Sequence, residues 1–207
     1  KHMSDPVGTD GTTRGLTTES ITIEHSTVDE LIDRLVDVAE SLSAGFDRWD
    51  EQYVSGPSLY VIIVADTNYG AYADPLGENT WPTDICRVVT EELESLVTAT
   101  RHVAFSYDGA VVVTVDGTIQ EQMVRVKSPS EAEAEDGRPI EYADWMGTKH
   151  LSAVEISTRD GVLAAVTLSE ENGRVTVFED GKYVDRRRDE LADRWSRNET
   201  HATGGDR

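Results

Sequence analysis

Little in this chain can cross-link it or seat it in a membrane. Cys86 is the single cysteine among 207 residues. No internal disulfide can therefore form, and a reducing, cytoplasmic setting is expected. No apolar run approaches the ~20 residues that a membrane helix needs, and no secretory-signal pattern precedes the first amphipathic stretch. No membrane partner is expected. Lysine is scarce, with only Lys1, Lys127, Lys149 and Lys182. Positive charge as a whole is outnumbered, at 19 Lys and Arg against 40 Asp and Glu, for a formal net charge of -21. Such a surface repels a phosphate backbone, so no nucleic-acid partner is expected. The acidity has two readings: a docking surface for a basic partner, or a cytoplasm adapted to high salt, where screening relieves self-repulsion. Acidic residues run along the whole length, which favours the salt-adapted reading. Composition does allow a core, because 38% of residues are hydrophobic and the length suits one core-bearing domain with extensions.

Lys1-His2-Met3 reads as a vector-derived remnant. Residues 4–20 are rich in Gly, Thr, Ser and Asp without a period, so residues 1–20 are expected to form a disordered leader. A helical segment is expected over 21–57. Thr27 can cap it and Glu30 can close a capping box. Val28, Leu31, Ile32, Leu35, Val36, Ala39 and Leu42 then recur at helical spacing. Its amphipathicity suits plain core cover, with regulation of domain pairing as the other reading.

Residues 58–184 carry the main domain. Leu59 to Ala65 is a continuous apolar, β-branched run that suits a strand buried on both faces. Asp66 to Thr80, with Gly70, Pro75 and Gly77, reads as a loop. A second helix is expected after Pro82, presenting Ile85, Val88, Val89, Leu93, Leu96 and Val97. Val103 to Phe105, Ala110 to Val115 and Ile119 to Val126 read as strands, the last two joined by the Asp116-Gly117 turn pair. Ser128 to Pro139 reads as an exposed acidic loop, and a short helix is expected after Gly147. Val162 to Thr167 reads as a buried strand. Asn172-Gly173 and Asp180-Gly181 are further hairpin turns. Residues 185–207 are expected to hold a terminal helix, at Arg186 to Arg194, and a disordered tail. The fold class expected is α/β, with a mixed central β-sheet flanked by helices.

Three short blocks carry chemistry. In Asp108-Gly109-Ala110 a carboxylate precedes an apolar strand. It can hold a divalent cation and help deprotonate a sugar hydroxyl, while Gly109 permits close approach of a ligand or backbone. A plain Asp-Gly turn is the simpler alternative. Gly147-Thr148-Lys149-His150 opens a helix with backbone N–H groups and a hydroxyl for an anion, a cation and an imidazole. A solvated helix start would look the same. Ser169-Glu170-Glu171-Asn172-Gly173 follows a strand. Adjacent residues of a strand point to opposite faces, so only one of the two acids is expected to face a site there; a polar hairpin is the alternative. Trp81, Trp145, Tyr69 and Tyr72 can stack on a base or anchor loops. His25 and His102 are isolated and suit structural roles.

In this order the blocks resemble the diadenylate cyclase domain, over roughly Ser58 to Tyr183. That family's motifs read Asp-Gly-Ala, Gly-Thr-Arg-His-Arg and Ser-Glu-Glu-x-Gly. The resemblance implies condensation of two ATP into cyclic di-AMP, with Mn²⁺ or Mg²⁺, by two domains meeting face to face. Self-association is thereby implied. It implies a catalytic Asp108, His150 and Lys149, and nucleotide contacts from Gly109, Ala110, Gly147, Thr148, Lys149, Ser169 and Glu170. Asp108 and Glu171 would face the metal. The chain departs from the pattern at two places. Lys149 stands for an arginine, exchanging a planar fork for a point charge, and Leu151 replaces the second arginine. Both a slow cyclase and a degenerate, nucleotide-binding domain that partners an active one follow from these changes.

Overall fold

The structure is a computed structural model that describes residues 18–130, 133, 137–187 and 190. Its centre is β1 (Leu59–Val64), in which every residue is buried. The run is apolar throughout because it has no solvent face. Leu59, Val61 and Ile63 join one core, while Tyr60, Ile62 and Val64 join the other, as the period of two requires. On one side β1 pairs in parallel with β3 (Val111–Thr114). On the other it pairs antiparallel with β5 (Val162–Leu168). The sheet continues antiparallel through β6 (Val175–Glu179) to β7 (Lys182–Arg186). A separate antiparallel ribbon joins β2 (Ala73–Thr80) to β4 (Gln122–Val126). Helices α1 (Thr18–Gly45) and α2 (Leu93–Ser106) pack on one face, and α3 (Thr148–Ile156) on the other. The fold is the expected mixed sheet flanked by helices.

The first helix presents the expected stripe from Val28 to Leu42, all of it buried. It begins earlier than the cap signals indicate. The backbone is already helical at Thr18, so Thr27 lies inside the helix, where a capping conformation is not available. No glycine or proline interrupts Thr18 to Ala44, so nothing breaks the helix at the expected start. The rest of the expected leader, the vector remnant, and all but the first two residues and Glu190 of the expected terminal helix lie outside the described residues. Arg186 is the last residue of β7.

Three other expectations are corrected. Residues 82–92 form turns rather than a helix. Trp81 is buried and donates through Nε1 to the Cys86 carbonyl at 2.7 Å, which closes those turns and makes it a loop anchor. Val103 to Phe105 is not a strand but the last turn of α2, with Val103 on the buried stripe of Leu96, Ala99 and Thr100. Helical spacing outweighs the β-branched side chain there. Residues 73–80 of the expected loop are the strand β2. Pro75 and Gly77 conceal it because such residues suit only an edge strand, and the β2 pairing is irregular between Pro75 and Thr80.

The Asp116-Gly117 turn forms as expected. Thr114 Oγ1–H and the Thr118 N–H donate to Asp116 Oδ1 at 2.6 and 3.0 Å. It does not join a regular hairpin, however, because only isolated bridges link its two arms and β4 is committed to β2. Among the described residues, no helix is long and apolar enough to cross a membrane.

Candidate nucleotide-binding pocket

All three chemical blocks open into one pocket of about 560 Å³. Asp108, Gly109 and Ala110 enter from the start of β3. Gly147, Thr148, Lys149 and His150 come from the N-terminal end of α3. Ser169, Glu170, Glu171 and Asn172 come from the end of β5. The facing wall is apolar, made by Leu76 and by Val124 and Val126 of the ribbon, with Arg125 beside them. An apolar wall opposite convergent polar groups is the usual make-up of a small-ligand site.

Gly109 has a specific job in this geometry. Its φ is +107°, and an added Cβ would collide with Leu76 Cδ2 and lie 3.0 Å from the Val124 carbonyl oxygen. The glycine lets the ribbon close on β3, where Ala110 N–H donates to the Val124 carbonyl at 2.8 Å and Val124 N–H returns a bond at 2.9 Å. Asp108, just before it, is exposed. Its backbone carbonyl accepts from Asn79 Nδ2 at 3.0 Å, which leaves the carboxylate directed by a pinned backbone.

The α3 block is less solvated than a simple helix start. Gly147 has extended backbone and its side-chain-free position provides no cap. Lys149 is half-buried, and its ammonium donates to Ser58 Oγ. Burial pulls its pKa down, against the opposing fields of Glu170, Asp108 and Glu171. Lys149 and these three carboxylates all line the same pocket. His150 is buried, with its ring 5.0 Å from Trp145 and 6.3 Å from Phe178. Its Nε2 has no hydrogen-bond partner. Burial, and then Lys149 and Arg174, push its pKa down to about 4, so the ring is neutral at pH 7. Trp145 is itself stacked by the Arg174 guanidinium at 4.0 Å. Leu151 does not line the pocket and is part-exposed on the outside of the helix.

The third block differs from the strand geometry expected of it. β5 ends at Leu168, and residues 170–172 are a turn. Alternation therefore no longer applies, and both Glu170 and Glu171 line the pocket. Ser169 is buried and ties the turn's ends: its N–H donates to the Arg174 carbonyl, and its own carbonyl accepts from Gly173 N–H, both at 2.9 Å.

Sequence reasoning missed the ribbon wall, Ser58 and Tyr60. Tyr60 reaches the pocket through its hydroxyl, 3.1 Å from Ser152 Oγ. Its only sequence signal was a polar-tipped residue inside a wholly apolar strand. Tyr69 and Tyr72 lie away from this pocket; Tyr72 lines a second hollow, of about 710 Å³. The arginines there already hold carboxylates, Arg159 with Glu133 at 2.7 Å and Arg138 with Asp180 at 2.9 Å. Among the described residues, no cluster of three or more His, Cys, Asp or Glu forms a metal cage. The exposed carboxylates of Asp108, Glu170 and Glu171 instead suit Mg²⁺ or Mn²⁺. Such hard cations take one or two carboxylates and complete their shell with water and phosphate oxygens.

Comparison with known proteins gives a family. The sequence model of DAC, the DisA bacterial checkpoint controller nucleotide-binding family, matches residues 75–183. Two solved structures are similar in shape. One is a double mutant of DacA from Staphylococcus aureus, at 18% identity over 86% of this chain and 99% of that one, with a TM-score of 0.44. The other is a hypothetical membrane spanning protein from Bacillus cereus, at 16% identity over 74% of this chain and 61% of that one, with a TM-score of 0.49. No curated protein sequence matches the chain. The family model spans more than half of the 207 residues and takes in all three blocks of the pocket, so this protein belongs to the DAC family of DisA-type nucleotide-binding domains.

Proposed function

We propose that this protein is a diadenylate cyclase, condensing two ATP into cyclic di-AMP. The observation that carries the proposal is the convergence of Asp108, the Gly147–His150 helix start and Glu170–Glu171 on one pocket with an apolar far wall. The apolar wall of Leu76, Val124 and Val126 suits a purine. The α3 N-terminus, Thr148 and Lys149 suit phosphates, because free N–H groups and the helix dipole favour anions. Asp108 takes the proton of the ribose 3′-hydroxyl, whose oxygen attacks the α-phosphate of a second ATP held by a second copy of the chain. The bond to the β-phosphate breaks and pyrophosphate leaves. The reciprocal attack closes the ring. Asp108 and Glu171 would hold Mn²⁺ or Mg²⁺ together with phosphate oxygens, and a bound cation supplies charge neutralisation. Lys149 offsets part of the charge developing on the α-phosphate. His150, neutral and buried, acts as a hydrogen-bonding wall rather than as a cation. Positioning and electrostatics supply most of the acceleration in such chemistry. The protein works in a high-salt cytoplasm, where its net charge of -21 is screened.

One observation favours a second reading, a domain that binds ATP without turning it over. The family's first arginine is here a lysine already engaged by Ser58, and the position of its second arginine is Leu151, outside the pocket. Purified protein incubated with ATP and Mn²⁺ in molar KCl, followed by chromatography of the products, separates the two. Cyclic di-AMP should form, and Asp108→Asn should reduce its rate about a hundredfold or more. Saturable ATP binding without product would leave the second reading. Absence of ATP binding would end both.

A further inference from the structure

The helix α1 and the loop after it lie outside the residues that the family model matches. They nevertheless touch the pocket's third block from behind. Ser43, near the end of α1, is fully buried and donates through Oγ to the Gly173 carbonyl at 2.7 Å, across 130 positions of sequence. Trp49 donates through Nε1 to the Ser43 carbonyl at 3.1 Å, and its ring lies on the same turn. A Cβ added at Gly173, where φ is +71°, would collide with Ser43 Oγ and sit 2.8 Å from Trp49 Cζ2. The indole also covers Gly56, where a Cβ would collide with Trp49 Cζ3 and Cη2. Gly56 N–H in turn donates to the Glu170 carbonyl at 2.9 Å. Two residues on, Ser58 Oγ accepts from the Lys149 ammonium. Phe46 holds the indole in place, edge-on at 4.8 Å, and leans on Phe105 of α2 at 6.1 Å.

We infer that Ser43 and Trp49 form a positioning clamp that fixes the Ser169–Gly173 turn, and with it the carboxylates of Glu170 and Glu171, against the pocket. The inference extends the nucleotide-binding reading above and draws its ligand from it. Simple core cover would need only the apolar stripe of α1. It would not need a buried hydroxyl aimed at the Gly173 carbonyl, nor two glycines cleared for a single indole. Those features concentrate on the backbone that carries the site's acids. The segment Gly56–Ser58 then ties the acidic turn and Lys149 to the same strap. Neither Ser43 nor Trp49 lines the pocket, so both act through the turn rather than on substrate.

The test uses the full chain and two readouts. Amide hydrogen exchange reads the clamp without any ligand. In Ser43→Ala and Trp49→Leu, amides of 169–173 should exchange about tenfold faster relative to those of β1 and β5, the factor expected for one lost hydrogen bond. Ser43→Thr should restore protection. Leu35→Ala, in the buried stripe of the same helix, should loosen the turn and the strands together if it loosens either. Titration with ATP and Mn²⁺ is the second readout. Affinity should fall about tenfold in Ser43→Ala, whereas metal-free adenosine should bind as before. Unchanged exchange of the turn in Ser43→Ala and Trp49→Leu overturns the clamp, whatever the ligand result. Faster exchange with unchanged ATP affinity also overturns it, as a device serving the site. If the unmodified protein binds no ATP, the nucleotide reading is what fails, and the exchange data still decide whether the clamp exists.

Discussion

The two faces of the central sheet are built from alternate residues of the same strands, yet two helices close most of one and the other holds the candidate site. Leu59, Val61 and Ile63 of β1, with Val111 and Val113 of β3, meet α1 and α2. Tyr60, Ile62, Ala110 and Val112 meet α3 and the ribbon. The first face has a helix of 28 residues as its lid, and the second has one of nine. A nine-residue helix is only ~14 Å long, less than the breadth of five strands spaced about 4.8 Å apart. The space beyond its N-terminal end is therefore left for a ligand, lined by whatever the strand ends and the ribbon present. On the closed face, Thr100 Oγ1 donates to the Leu96 carbonyl at 2.7 Å and Arg186 pairs with the buried Glu40 at 3.0 Å. On the open face, His150 keeps an unpartnered Nε2.

This contrast can be broken deliberately. Ile63→Ala, on the closed face and 0% exposed, should cost about 2–5 kcal/mol in chemical denaturation. The fraction still folded should bind ATP unchanged, because Ile63 faces away from the pocket. On the open face the lever is pH. Folded, His150 takes its proton only near pH 4, against about 6.5 when unfolded. Between those values the unfolded chain binds more protons, so stability falls as pH drops from about 6.5 to about 4, by up to about 3 kcal/mol. Urea titrations at pH 7 and pH 5 should show that loss, and His150→Gln should flatten it. The smallest effect is expected on neither face. Arg48→Ala removes an exposed pair with Glu51 at 2.6 Å and should leave the unfolding midpoint within error, since such pairs contribute little.

Much of the fold was readable where burial is symmetrical. Leu59–Val64 and Val162–Leu168 are apolar at every or nearly every position because both faces are covered, and such runs are distinctive. The turns at Asp116-Gly117, Asn172-Gly173 and Asp180-Gly181 were readable because positive φ selects glycine; all three glycines have it. The strand β2 was not readable. Its sequence, Ala-Asp-Pro-Leu-Gly-Glu-Asn-Thr, is polar because only Ala73 of the strand is fully buried, so neither period nor propensity marks it. The start of α1 was misplaced because capping residues signal a boundary only when the helix has no reason to continue upstream. At the site, the three blocks were visible as residue types in order. The partnership of both glutamates was not, since it depends on β5 ending at Leu168.

Local chemistry, legible in the one-dimensional chain, settled the buried strands, the glycine turns, the absence of any internal disulfide and the residue types of the three blocks, because each depends on a residue and its near neighbours. Folding alone decided that these blocks share one cavity, that Leu76 and the 124–126 segment wall it, and that Ser43 and Trp49 stand behind the acidic turn. Contacts across tens to more than a hundred residues depend on how strands are ordered in the sheet and which helix covers which face. Hydrogen bonds such as Ser43 to Gly173 leave no periodic trace in sequence.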